Sequence, residues 1–462
     1  MEITLIGFIF IPLGIIFLLL MPRWLYGLMV FFIPFSATAV MNIEVSGRTS
    51  GFPVWMFFGT LWMISFILNT LKTFSIRLGG INNNGTILLL LFVVVAIISL
   101  IMPISLSGSL YIESTLLSES LPLEFRLKHI TQILYLILGA LIAILIAREN
   151  SNEHEITKSI KIYVISAIFV SLWGFLQFAC YKIGIPYPTI FNNSATESAR
   201  GYLQEFVDIN VKRISSVTVE PSIFAKYLLT VIPFVLIAVV RHQTIFGSIR
   251  DKISLLIFFL ILFLSTSASG YIGLFFLILL TGFVLGMTGL LRISYMVYGI
   301  GIQIILLIVL FNVLGFNDVF KIVLLEKLTT YSALERARSV EIAWNYFLLY
   351  PILGIGWGSI TSHDLVVKLL SNTGLLGFLT FSFFILYLLR QNFYCFIKYK
   401  YEQANILFLW STATFVSLST EIAISVVTGF DFVFGHFWFI IGMSMAITTV
   451  VKRMKKRTNL TI

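Results

Sequence analysis

Apolar residues run along this chain in long, unbroken blocks separated by short polar stretches, with no strict alternation inside a block. Blocks of about 18 or more apolar residues suit helices that cross a bilayer. A membrane β-barrel would instead place a polar residue at every second position of short segments. The pattern predicts spans near 3–21, 24–41, 53–71, 85–106, 129–147, 159–181, 221–240, 253–268, 271–290, 295–316, 373–390, 405–424 and 432–450. The expected fold class is therefore all-α, a polytopic helical membrane protein with about thirteen spans. The whole chain, 1–462, reads as one integral membrane domain.

Charge adds orientation. Arg23, Lys72 with Arg77, Arg148 with Lys158, Arg241 with Arg250 and Lys252, Arg292, Arg390 with Lys398 and Lys400, and the tail from Lys452 to Arg457 recur after every second span. Basic loops of this kind stay in the cytoplasm. The start of the chain, with Glu2 and without a basic residue or signal-peptide cleavage pattern, then falls outside as a retained first span. So do 42–52, 107–128, 182–220 and 317–372. Connections between packed helices usually take about 2–8 residues, so the loops 182–220 and 317–372 are expected to be functional surfaces.

Composition closes other routes. Hydrophobic residues make up 58% and charged ones 11%, and mean hydropathy is +0.99, which excludes an ordinary soluble domain. The net charge of +10 is scattered over loops and forms no patch, which argues against nucleic acid as a partner. Cys180 and Cys395 fall at helix ends expected on opposite faces, too far apart for a disulfide.

Candidate chemistry gathers in the two long loops. Arg213 to Glu220 leads into Pro221, at the start of the seventh span. Proline is tolerated there, and a carboxylate beside that helix start is favoured by the dipole. A cap with an interfacial arginine is the plainer reading of that piece. The junction Ser265-Thr266-Ser267-Ala268-Ser269-Gly270-Tyr271 suits close helix packing, or a turn whose hydroxyls face a ligand. In the second loop, Arg336 and Arg338 open an amphipathic segment, and His363 follows the insert Pro351 to Gly358. Arginines in two loops suit the paired oxygens of a diphosphate. A histidine can accept a proton near neutral pH. No HExxH or carboxylate-rich outer motif points to a metal, and the five histidines are dispersed. Glu421 is the acidic residue placed within a span, where a carboxylate is costly unless paired or hydrated; a position at the outer interface is the alternative.

Three stretches resemble the O-antigen ligase/polymerase superfamily, the Wzy-type polymerases and WaaL-type ligases of bacterial envelopes. They are RISSVTVEPSIFAKYLLTVIPF, LILFLSTSASGYIGLF, and RARSVEIAWNYFLLYPILGIGWGS followed by HDLVVKLLSNTGLLGF. They fall within a core spanning 205–390. The family's arginine ahead of Pro-x-x-Gly-x-Gly is best matched by Arg336, with Arg338 beside it. Many relatives carry arginine in the serine-rich junction, where this chain has Ala268.

The resemblance implies glycosyl transfer on the outer face of the bacterial cytoplasmic (inner) membrane, inverting and without a metal or other cofactor. The donor would be an oligosaccharide on undecaprenyl diphosphate, and the acceptor a sugar hydroxyl on a second lipid-linked repeat. His363, Arg336, Arg213 and Glu220 would be the catalytic residues. Arg338, Ser267, Ser269 and Tyr271 would bind substrate. Beyond the lipid bilayer, a chain-length regulator and a flippase would be partners. The short interval from Gly358 to His363 favours a polymerase over a ligase acting on lipid A core or protein. A flippase or other transporter, and a membrane scaffold, are the alternatives from other classes.

Overall fold

The computed structural model describes residues 2–45, 48–73, 83–113, 120–196, 200–206, 211–287, 301, 331–399 and 406–458. The chain begins with β1 (Glu2–Ile3), α1 (Leu5–Leu20) and α2 (Arg23–Phe31), followed by β2 (Ala39–Val45) and β3 (Arg48–Pro53). Then come α3 (Val54–Thr73), α4 (Asn83–Ser99), α5 (Ile101–Ser105), β4 (Tyr111–Glu113), β5 (Ser120–Pro122), α6 (Leu127–Glu149) and α7 (Glu153–Ile183). A 3₁₀ turn at Gly201–Leu203 precedes β6 (Glu205–Phe206) and β7 (Val211–Lys212). Helices α8 (Pro221–Val240), α9 (Ser248–Leu264), α10 (Ala268–Met287), α11 (Tyr331–Leu349), α12 (Leu365–Tyr399), α13 (Ile406–Thr428) and α14 (Gly435–Thr458) complete the described chain.

The architecture is that of a helical membrane protein. Among the described residues, nine helices are long and apolar enough to cross a bilayer. Three of them form the middle of the bundle. The apolar stretch of α14 is 94% buried, that of α8 78% and that of α13 72%, against 33% for the stretch through α4 and α5. Helix α13 packs on α8, α10, α12 and α14, while α14 also packs on α6. The remaining helices leave apolar side chains such as Leu90, Leu134 and Phe383 on the outside, as suits surfaces that meet lipid.

Local signals set the helix ends. Thr4 caps α1 by accepting from the amide of Gly7 at 3.0 Å. Asn152 caps α7 through the amide of Glu155, and Gly184, at φ 79°, turns the chain out of that helix. Pro221 stands at the first position of α8, as its missing N–H allows.

Two expected spans are shorter than the apolar runs suggested. The segment 24–41 is not one helix. Helix α2 stops at Phe31, turns follow, and the chain is in a strand by Ala39. Pro34 has no amide to continue a helical ladder, and the amide of Ala37 is taken by the carbonyl of Val217 at 3.1 Å. Helix α1 has 16 residues, about 24 Å at 1.5 Å per residue, which is short of a full hydrocarbon core. Of the expected span 295–316, all but residue 301 lies outside the described residues.

The expected loops carry structure of their own. Strands β1, β2 and β3 form an antiparallel sheet with Glu2 opposite Asn42 and Asn42 opposite Gly51. Strands β4 and β5 form a hairpin, as do β6 and β7. In the segment 317–372, residues Tyr331–Leu349 are helical. These pieces share one end of the bundle. Asn193 bridges to both backbone groups of Ala39, Val219 donates to Ser36, and Tyr346 donates to the carbonyl of Tyr111 at 2.7 Å. At the opposite end, Arg148 lies over Phe66 and Arg241 over Phe408, and Arg453 donates to the carbonyl of Ser151.

Candidate functional site

The segment before α8 is fixed from several directions. Both amides of Ser215 and Ser216 donate to the side-chain oxygen of Gln177, at 3.2 and 2.7 Å. The Ser216 hydroxyl donates to the carbonyl of Val170, and its own carbonyl accepts from Tyr187 and Asn192. Such bonds hold Ser216 at φ 52°, a conformation that costs a side-chain-bearing residue about 1–2 kcal/mol. Arg213 enters this segment with its guanidinium donating to Gln204 at 3.2 Å. Glu220 occupies the cap position of α8, yet its carboxylate accepts from the Ser222 hydroxyl at 2.9 Å and from no helical amide. The expected capping role therefore falls short, and the carboxylate remains oriented by a side chain. Gly201 packs so closely that a Cβ there would lie 2.9 Å from Glu220 Cα.

The glycine-rich insert after α11 works as a scaffold. Gly354 and Gly356 have φ of 64° and 102°, and the amides of Ile355 and Gly356 bond to the carbonyls of Ser371 and Asn372. A Cβ on Gly354 would fall 2.4 Å from the Ser371 carbonyl oxygen. Trp357 donates its amide to Ser99, and Asn372 Nδ2 donates to the carbonyl of Ile360. This clasp sets His363 at the head of α12, where Asp364 caps the helix through the amide of Val367 at 2.9 Å.

The tautomer of His363 follows from its neighbour. Ser339, on α11, donates its single hydroxyl proton to the carbonyl of Arg336 at 2.7 Å. Its oxygen lies 2.9 Å from Nδ1 of His363. With the hydroxyl donating to that carbonyl, the contact fits the tautomer in which Nδ1–H donates to Ser339 and Nε2 carries the free electron pair. Burial pushes the His363 imidazole below its ordinary pKa of 6.5; Arg336, Lys368 and Lys226 lower it further, and Glu220 opposes them. The ring is neutral at pH 7 and able to accept a proton.

Cations converge here from separate helices. Arg213 lies in the fields of Glu220, Arg336 and Tyr271; burial brings its guanidinium down to about 10, so it remains charged at neutral pH. Lys226, in α8, lies among Glu421, Arg336, Glu220 and Lys368. Its ammonium donates to the carbonyl of Gly429. Lys368, in α12, donates to the next carbonyl, that of Phe430, at 2.7 Å and stands 3.8 Å from Asp431. Gly429, at φ 82°, presses on His363: a Cβ there would lie 2.9 Å from His363 Cα. Below this turn, Glu421 and His436 approach within 3.4 Å, at 1% and 3% side-chain exposure. Glu421 is thus buried inside the bundle, beside His436.

A cavity of about 530 Å³ opens beside the cluster. Arg336, Glu341, His363 and Asp364 form its polar wall, and Trp344 and Val427 belong to its apolar one. Such a volume suits a small-molecule group or a lipid head.

The structure brings together Arg213, Glu220, Arg336, His363 and Tyr271. It does not bring Arg338 with them: that side chain is exposed and off the cavity lining. Ser267 and Ser269 are buried, in a junction whose Gly270 packs on Ala225. Sequence reasoning assigned no role to Lys226, Lys368, Ser339 or His436. Lys226 carried a usable signal, since a lone ammonium inside an apolar span is a functional candidate by default. Among the described residues, no group of three or more His, Cys, Asp or Glu is placed to hold a metal ion. Neither a protein-family model nor a curated protein matches this chain.

Proposed function

We propose that the protein is a polymerase of a bacterial surface polysaccharide, transferring a glycan from a polyprenyl diphosphate to a sugar hydroxyl of another lipid-linked repeat. The observation that carries this reading is the meeting of Arg336, Lys226 and Lys368 around a neutral histidine, with Arg213 joined to the cluster through Arg336 and Glu220. Guanidinium and ammonium groups in a site shielded from water stabilise the charge that develops on a departing diphosphate.

In this mechanism Nε2 of His363 takes the proton of the acceptor hydroxyl as that oxygen bonds to the anomeric carbon. The bond from carbon to the diphosphate oxygen breaks on the opposite face, and the diphosphate leaves with the electron pair. Arg336 and Arg213 meet the growing negative charge. Glu220 favours the charged form of Arg213. The mechanism puts this end of the bundle on the extracytoplasmic side of the inner membrane, in keeping with the basic residues at the other end.

A second reading, a polysaccharide flippase or other transporter, is favoured by Lys226, Glu421 and His436 inside the central helices. Ionisable groups at such depth often mark a transport path. Deleting the gene in the source bacterium and sizing its lipid-linked glycans separates the possibilities. A polymerase predicts accumulation of single repeats on lipid. Full-length chains retained on lipid would indicate a ligase, loss of all outward-facing glycan would indicate a transporter, and an unchanged profile would overturn the proposal.

A further inference from the structure

A second pair of cavities lies on the same end of the bundle, between β3, the β4–β5 hairpin and the first turns of α6. One is about 290 Å³ and the other about 600 Å³. Leu121, Arg126 and Lys128 line both, so the two form one groove divided by a basic pair. The larger part is walled by Ser50, Phe52, Thr131, Gln132 and Tyr135, with no carboxylate among the described residues of its lining. In the smaller part, Glu113 and Glu124 join the basic residues, and Arg126 pairs with Glu124 at 3.0 Å.

This groove borders the histidine site in two places. The segment following the glycine-rich insert gives Ser359, Ile360 and Thr361 to the smaller cavity and His363 and Asp364 to the cavity beside Arg336. Lys128 is tied to that segment through the carbonyl of Ser359 at 3.0 Å. At the other border, Tyr135 reaches Ser50 and lies in the field of Asp431, the carboxylate beside Lys368.

We propose that the groove binds an acidic saccharide chain, with carboxylate substituents at Arg126 and Lys128 and sugar faces against Tyr135 and Phe52. Hydroxyl and amide side chains along one wall can trade hydrogen bonds with sugar hydroxyls, while aromatic rings offer flat apolar faces. The joint volume falls in the range of specific ligand sites. The absence of carboxylates among the described residues of the larger cavity's lining favours a ligand that carries negative charge. On the transfer reading above, on which this assignment rests, the chain held here is the acceptor, and its end hydroxyl is delivered to His363.

The test is direct binding to the full-length protein in nanodiscs of neutral lipid, by calorimetry. The probes are a polygalacturonate oligomer and a neutral dextran oligomer of equal length. The proposal expects the acidic oligomer to bind, the dextran to bind at least tenfold more weakly, and R126Q/K128Q to weaken the acidic oligomer about tenfold. Tyr135→Ala should weaken both oligomers. Nanodiscs containing anionic lipid provide a control: if they abolish oligomer binding, the basic pair serves lipid headgroups and the proposal fails. Equal binding of both oligomers, or an R126Q/K128Q variant that folds and binds like the parent, would also overturn it. Binding is read without turnover, so failure of the transfer reading would show in the glycan profile and not in this titration.

Discussion

The hydroxyl of Ser339 stands 2.9 Å from Nδ1 of His363 while giving its proton to the carbonyl of Arg336. One side chain on α11 therefore decides which nitrogen of a residue at the head of α12 is basic. Ser339→Ala removes the acceptor and lets the ring take either tautomer. Transfer by the purified protein should fall about tenfold or more, a part of the roughly 10²–10⁴-fold that an oriented acid–base group supplies. Ser339→Thr keeps the oxygen and should restore most of the rate. A parental rate in Ser339→Ala would dismiss the tautomer argument.

The neighbouring arginines should behave differently. Arg336 faces His363 and lines the cavity, whereas Arg338 is exposed. Arg336→Gln is expected to lower turnover by roughly 10²–10³, as loss of one preorganised donor does. Arg338→Gln should change stability by no more than about 0.5 kcal/mol and leave turnover close to that of the parent. Chain formation in cells expressing each variant, at matched protein level, checks both.

The pH profile carries a sign. Burial and the nearby cations disfavour the imidazolium of His363, so its pKa lies below 6.5. The neutral base survives into mildly acid solution, and the acid limb of the rate profile should lie below pH 6.5. Arg336→Gln removes a cation and should move that limb upward, even though the rate is low. Glu220→Gln removes a carboxylate and should move it further down. Limbs that do not shift in opposite directions would show that His363 is not the titrating group.

Lys226 and Glu421 test the interior. Lys226→Met takes away a cation that Glu421 feels and a donor to the Gly429 carbonyl. Glu421 keeps His436 at 3.4 Å, so the loss should stay below the roughly 3–5 kcal/mol of a buried charge left with no partner. Thermal unfolding in detergent should drop clearly for K226M. The double variant K226M/E421Q should recover part of the loss, because the buried carboxylate is then removed as well.

Apolar run length made most of the bundle legible in the sequence, since a bilayer leaves a helix few ways to satisfy its backbone. Runs alone misjudged 24–41, where Pro34 and the bond from Ala37 to Val217 divert the chain. Hydropathy does not register a hydrogen bond made to a residue so distant in sequence. The site was partly legible for a similar reason. Arg213, Glu220, Arg336 and His363 stood out as polar residues in a chain with few, but Ser339 and Lys368 gain meaning only when α11, α12 and the turn after α13 are packed together. Arg338 shows the converse: its likeness to Arg336 lies in spacing, and helical geometry sends neighbours two positions apart to different faces.

Helix α12 is interrupted at Gly374, whose backbone is at φ 63° and ψ −166°. The amides just past the break, of Leu375 and Leu376, bond to the carbonyls of Pro351 and Ile352. The piece carrying Asp364 and Lys368 is thus coupled to the longer membrane rod through two cross-links to the preceding segment, and not through a continuous helical spine. Tension from a thicker or thinner bilayer would arrive at His363 sideways, by way of Pro351 and Ile352.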